Sequence, residues 1–197
     1  MARVRVIEEV SQLEALASRW RNLQSRTVFA EPVSSPTWTL AWWRHFGVLD
    51  GRKLRAVVME EGEELIGLAL LSLRTVMLRR AIPMRRIELL MTGEVEEDEI
   101  CSDYVGLLAE AGRETEFAHA LVDVLVREDV GAWDDLVFSA MNGECPLTVA
   151  LGKAFADLEL KPELEVEGRC PYIALPETWE AYLASLASAD RYIVSRS

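Results

Sequence analysis

At 197 residues, half of them apolar, the chain can bury one substantial core, or a core with a small appendage, and no more. A net charge of −12 argues against nucleic-acid binding through the whole surface, because phosphate contacts need a basic footprint. No apolar run approaches the roughly 18–20 residues of a membrane span, and MARVRVIEEVSQ lacks the apolar core of a secretory signal, so a cytoplasmic protein with no membrane span is expected.

VRVIEEV, residues 4–10, reads as a half-buried strand. Ser11 then predicts an N-cap, with Glu14 completing a capping box, and Leu13, Leu16, Trp20 and Leu23 mark one face of the helix that follows. RTVFAEPVSS is a loop by its Pro and Ser content; Ser35 caps a second helix, Pro36 takes its first position, and Gly47 marks its end. LRAVVMEEGEELIGLALLSLRTV holds two apolar runs around Gly62, the pattern of a β-hairpin. RRIELLMTG and SDYVGLLAEAG read as further strands, separated by a solvated acidic run at Glu94, Glu96, Glu97, Asp98 and Glu99.

The period then changes. ETEFAHALVDVLVRE places Phe117, Leu121, Val124 and Leu125 at helical spacing, with His119 within that face, and WDDLVFSAM returns to strand character. Leu147, Ala150, Leu151, Ala154, Phe155 and Leu158 mark a helix over 146–160; LEVEGRCPYIALP is extended; a last helix from Pro176 runs through Trp179, Tyr182, Leu183 and Leu186. The order predicts an α/β (α+β) fold, a mixed and mostly antiparallel twisted sheet with helices on both faces.

Cys101, Cys145 and Cys170 lie far apart with no Cys-x-x-Cys or Cys/His spacing, so reduced thiols are expected, with no metal site. Charge is unevenly spread: residues 1–93 hold 14 Lys and Arg against 10 Asp and Glu, residues 94–197 hold 7 against 23. An acidic second half meets water, a basic partner or a cationic substrate.

VFAEPVSSPTWTLAWWRHFG, ELIGLALLSL, SDYVGLLAEAG, WDDLVFSAM and CPYIALPETWEAYLASLA resemble the N-terminal half of the CelD-type acetyltransferases, named for cellulose biosynthesis, within the GNAT acyltransferases and related to the tandem Fem-type aminoacyltransferases. The likeness covers nearly the whole chain. It implies a GNAT-like domain over residues 1–175, with residues 176–197 a helix that begins a linker to a second half. It also implies acyl transfer from acetyl-CoA or another acyl-CoA to a small-molecule or saccharide amine acceptor. This half would then bind the acceptor or act as scaffold, beside a second GNAT half or a homo-oligomer partner. The other reading is a non-catalytic module that docks a basic partner through its acidic C-terminal half.

Acyl transfer needs positioning, a proton acceptor for the ammonium nucleophile, and donors for the developing oxyanion. Asp103 and Tyr104 are the polar candidates where strands splay, although strand alternation would send them to opposite faces. The coenzyme pyrophosphate is expected at the strand-to-helix junction LLAEAGRETEF, where only Gly112 and Arg113 match the family's phosphate loop and Glu110, Glu114 and Glu116 would repel it. Trp38, Trp42 and His45 share one helical stripe, with Trp43 and Phe46 on a neighbouring one. They either fill the core or line the acceptor groove, with Trp38 or Trp42 stacking on substrate and His45 serving as hydrogen-bonding group or base. Arg74, Arg79, Arg80, Arg85 and Arg86 form either a solvated hairpin or an anion clamp.

Overall fold

The computed structural model describes residues 2–79, 81–94, 100, 102–169, 171 and 173–196, which fall into two compact units, Met1–Glu163 and Leu164–Ser197. In the first unit, the alternation of RVRVI gives β1 (Arg3–Ile7), an edge strand antiparallel to β3. The helix that follows starts one residue before the predicted cap. Helix α1 (Val10–Ala15) follows Glu9, which makes no side-chain cap, so Ser11 lies inside the first turn. A break at Leu16 separates α1 from α2 (Ala17–Gln24), yet Leu13, Leu16, Trp20 and Leu23 still share one buried face. Trp20 is fully buried, and its indole N–H donates to the Ser34 carbonyl at 2.9 Å, which ties α2 to the loop before the next helix.

Helix α3 (Pro36–Trp42) begins as the sequence predicts: Ser35 Oγ accepts from the Trp38 N–H at 3.3 Å, and Pro36 fills the first position. The helix widens into one further turn over Trp43–Gly47, where Gly47 lies against the indole of Trp43. A Cβ at Gly47 would come within 2.2 Å of that ring, so the close approach requires glycine.

The predicted hairpin forms around Gly62 (φ +61), and each arm carries one break. Strands β2 (Lys53–Leu54) and β3 (Ala56–Glu61) run back against β4 (Glu64–Ala69) and β5 (Leu71–Leu78). Strand β6 (Ile82–Leu89) pairs antiparallel with β5, and β7 (Leu107–Ala109) pairs antiparallel with β4. Leu70 is the changeover: its N–H donates to the Gly106 carbonyl at 2.9 Å and its carbonyl accepts from the Leu90 N–H at 2.9 Å. The chain therefore leaves the sheet after β6 and re-enters it as β7 at the same point. Strand β8 (Asp135–Val137) lies parallel to β6. The two ladders, β1-β3-β4-β7 and β2-β5-β6-β8, make up the mixed, mostly antiparallel architecture that the pattern predicts.

Helices cover both faces. Gly67 of β4 points at Phe117 of α4 (Glu114–Val126), whereas Glu64, one step out of phase with Gly67 by three residues, meets Arg26 just past α2 on the other side. Both faces of β4 are buried, which explains why its sequence is a continuous apolar run. Helix α5 (Pro146–Asp157) packs on α4, with Leu147, Ala150, Leu151, Ala154 and Phe155 buried. His119 is exposed at the seam between them: Nδ1 lies 2.8 Å from the Thr115 carbonyl and Nε2 3.1 Å from Asp157 Oδ2, and these acceptors raise its pKa above the ordinary histidine value.

Arg74, Arg85 and Arg86 of the β5–β6 hairpin are drawn into carboxylates that the fold brings beside them, and Arg80 lies outside the described residues. Arg85 holds Asp134 at 2.7 Å, Arg86 holds Asp135 at 2.8 Å, and Arg74 holds Glu88 at 2.9 Å. Glu88 is buried and also bonds Arg52, whose guanidinium reaches the Thr92 carbonyl at 3.1 Å and stacks 5.4 Å from the Trp42 ring. Burial raises the Glu88 carboxyl above its ordinary value, and the two guanidiniums offset only part of that rise. The acidic run is seen only at Glu94, which accepts from the Trp42 indole; Glu96, Glu97, Asp98 and Glu99 lie outside the described residues.

In the second unit, helix α6 (Trp179–Ser185) is capped by Thr178, whose hydroxyl accepts from the Ala181 N–H at 3.2 Å, and α7 (Ser188–Arg196) follows. Among the described residues, no helix is long and apolar enough to cross a membrane.

Candidate functional site

The sheet opens where β7 begins. Strand β8 accompanies β6, but past Val137 the chain runs on without strand pairing to β7, and the Tyr104 N–H donates to the Ala140 carbonyl at 2.7 Å at the root of the gap. Strand β7 has β4 on one side and, among the described residues, no strand on the other. That outer edge forms the wall of a shallow groove of two connected depressions that share Phe29, Leu107, Cys145 and Leu147.

The first depression adds Glu31, Ser34, Tyr104, Asn142 and Thr148; the second adds Thr27, Ala109, Glu114 and Pro146. Four segments bring these side chains together, the start of α4 supplying Glu114. The loop after α2 presents Phe29 and Glu31. Tyr104, held at φ +59, stands on the sheet at the gap. A turn in which Asn142 Oδ1 accepts from the Glu144 N–H at 2.9 Å leads into α5, whose proline at the first position follows Cys145. Cys145 is a free, half-buried thiol. The lining is apolar in its shared middle, carries a half-buried carboxylate at Glu31 and another at Glu114, and contains no Lys, Arg or His.

The start of α4 is already occupied by the chain's own carboxylates. The Gly112 N–H donates to Glu114 Oε2 at 2.9 Å. The Arg113 guanidinium is bonded to Glu116 and, at 3.2 Å, to Glu61, which raises the arginine's pKa and lowers that of Glu116. Arg26 is likewise committed, to Glu110 at 2.8 Å and Glu64 at 3.1 Å. Carboxylates in the first turn suit the helix dipole, but they put negative charge where a pyrophosphate would need positive charge. Gly112 and Arg113 as arranged do not fit a coenzyme pyrophosphate. Among the described residues, no cluster of His, Cys, Asp and Glu could hold a metal ion.

Of the residues singled out in the sequence, Tyr104 lines the groove and Asp103 precedes it on exposed backbone. Neither is in a strand, because the ladder residues are only Leu107–Ala109, so strand alternation does not govern where they point. Gly112 and Arg113 adjoin Glu114. Trp38, Trp42 and His45 are not brought into the groove. Trp42 is 3% exposed and uses its indole N–H on Glu94 and its face on Arg52. Trp38 is 43% exposed, and His45 is exposed with its ring edge-on to Phe46 at 5.7 Å. Glu31, Phe29 and Cys145 were missed because they lie in aperiodic segments that only the folded chain brings together; Glu114 was visible solely as a repulsive neighbour of Gly112.

No family model matches the chain, and no curated protein matches it. Among solved structures, it is similar to a ribosomal-protein-alanine N-acetyltransferase from Brucella melitensis biovar Abortus 2308, at 10% identity over 88% of this chain and 100% of that one, with a TM-score of 0.43. It is similar to an acetyltransferase from Trypanosoma brucei at 12% identity over 89% of this chain and 100% of that one, with a TM-score of 0.43. An aminoglycoside acetyltransferase from an uncultured soil metagenomic sample, in complex with trehalose, matches at 10% identity over 89% of this chain and 97% of that one, with a TM-score of 0.39.

Proposed function

We propose that this chain is an acyltransferase-type domain whose groove beside β7 holds the amine acceptor, while the coenzyme's nucleotide is anchored elsewhere. The observation that carries the reading is the lining: an apolar floor of Phe29, Leu107 and Leu147, carboxylates at Glu31 and Glu114, and no cationic side chain. An ammonium group entering this groove gains charge-assisted hydrogen bonds, and its methylenes lie on the floor, whereas a phosphorylated ligand is repelled.

The chemistry available at the groove agrees with that assignment. An alkylammonium must shed a proton before it can attack a thioester, and the exposed carboxylate of Asp103, next in sequence to the groove residue Tyr104, is the group assigned to accept it through water. The Tyr104 phenol, on the groove wall, donates a hydrogen bond to the oxygen on which negative charge develops. The resemblance of the sequence to CelD-type and Fem-type proteins, in which two such halves cooperate, supports the same division of labour: acceptor here, most coenzyme contacts in a second half.

Calorimetric titration separates the two ligands. Cadaverine, an unbranched diamine, should bind with an affinity that falls as salt rises, and acetyl-CoA should give little heat under the same conditions. Tight acetyl-CoA binding with no response to cadaverine would overturn the assignment.

A further inference from the structure

The two carboxylates of the groove stand in different depressions. Glu31 lies in the first, with Ser34 and Tyr104, and Glu114 lies in the second, with Thr27 and Pro146. Common to both are Phe29, Leu107, Cys145 and Leu147, which carry no charged side chain. Phe29 is 45% exposed, so its ring is open to a ligand instead of being spent on the core. Acid, apolar span and acid, in that order, complement a molecule with a cation at each end and methylenes between.

The two ends are not equivalent. At the first, the Glu31 backbone is held in place: its carbonyl accepts from the Ser34 N–H and from Gln24 Nε2, each at 3.0 Å. Its carboxylate makes no hydrogen bond or ion pair among the described residues. Ser34 is 3% exposed, lines the same depression, and its hydroxyl also has no hydrogen-bond partner among the described residues. A hydroxyl so enclosed is costly to leave unpaired, and an ammonium at Glu31 would supply its donor. At the second end, Glu114 stands in the first turn of α4, and its Oε2 already accepts from the Gly112 N–H at 2.9 Å. That bond orients the carboxylate, while the positive end of the helix dipole offsets part of its charge. Glu31 with Ser34 is therefore the stronger cation site, and Tyr104 lines the groove at that end alone.

We propose that the acceptor is an unbranched aliphatic diamine, bound by both ends. One ammonium sits at Glu31 and Ser34, beside the Tyr104 phenol; the methylenes cross Phe29, Leu107 and Leu147; the far ammonium is read by Glu114, which acts as the specificity residue. The inference rests on the amine reading of the groove and adds to it a second charge at the far end.

Calorimetry with cadaverine and pentylamine tests the second charge, because the two have the same number of carbons and differ only in the far ammonium. Wild type in about 0.15 M salt, which screens the acidic surface beyond roughly 8 Å, should bind cadaverine about 10-fold more tightly than pentylamine. Glu114→Gln, which retains an oxygen for the Gly112 N–H, should reduce cadaverine to the affinity of pentylamine and leave pentylamine unchanged. Glu31→Gln should weaken both amines, with the far-UV circular dichroism of either variant matching wild type. Equal wild-type affinity for the two amines, or a cadaverine preference that survives Glu114→Gln, would overturn the two-ended reading and leave amine binding intact. If neither amine bound, this inference and the amine reading beneath it would fall together.

Discussion

Replacing Gly67 by alanine tests the docking of α4 on the sheet. The added Cβ would sit 2.2 Å from Phe117 Cδ2, 2.5 Å from Cγ and 2.6 Å from Cε2. Carbon atoms rest at roughly 3.5–4.0 Å, so the ring must retreat by more than about 1 Å. Phe117 is fully buried, and the residues flanking Gly67 in β4 are buried on both faces, so the strain spreads into backbone and neighbouring rotamers. Overpacking of this kind costs about 1–3 kcal/mol, and the severity of the clash places Gly67→Ala toward the upper end. At about 2–4 °C per kcal/mol for a domain of this size, the thermal midpoint should fall by roughly 4–12 °C. In urea the midpoint should drop with little change in slope. Phe117→Leu should relieve the clash, so the double variant should be less destabilised than the sum of the two single ones. An unchanged midpoint for Gly67→Ala, or strict additivity in the double variant, would refute this packing.

Two further outcomes follow from the charges. Arg52→Met leaves Glu88 buried with Arg74 as its remaining close guanidinium; it should cost about 3 kcal/mol in urea unfolding, and adding Glu88→Gln should restore part of the loss. Glu60 receives hydrogen bonds from Arg5 at 2.9 Å and from Arg19 at 2.9 Å, which lower its pKa from the ordinary 4.5. A depressed carboxyl stabilises the fold above its unfolded pKa, and the contribution is lost as pH falls through the folded value. Glu60→Gln should therefore remove about 1 kcal/mol at neutral pH and flatten the acid limb of a stability-versus-pH curve, with little difference from wild type in strong acid.

Much of the architecture was legible because periodicity reports on burial. The face Leu13, Leu16, Trp20 and Leu23, the Ser35–Pro36 helix start, the hairpin at Gly62 and the apolar stripe of α4 each follow from spacing alone, and each is where the pattern puts it. Spacing failed where tertiary context decides. Ser11 and Glu14 have the letters of a capping box, but the helix begins at Val10, so that signature lies within the first turn. SDYVGLLAEAG has strand composition, yet only Leu107–Ala109 enters a ladder, because Tyr104 turns at positive φ.

The candidate site was less legible than the fold, since its parts are remote in sequence. The tryptophans of α3 are conspicuous in sequence by their size, yet Trp42 covers the buried Arg52 guanidinium. The groove instead joins Phe29 and Glu31, Tyr104 and Leu107, Glu114, and Cys145 and Leu147, from four separate segments. No pairwise spacing predicts that union. Arg74, Arg85 and Arg86 read in sequence as a solvated hairpin or an anion clamp, and the fold instead places Glu88, Asp134 and Asp135 beside them.

The proposal that the groove binds an amine is tested most directly by titrating cadaverine into wild type, Glu31→Gln, Glu114→Gln and the double variant at one salt concentration. Each neutralised carboxylate should remove a charge-assisted hydrogen bond of roughly 1.5–3 kcal/mol, a loss of about 10-fold or more per site, with the fold unchanged by circular dichroism. Equal affinity across all four proteins would contradict the assignment of this groove to a cationic acceptor.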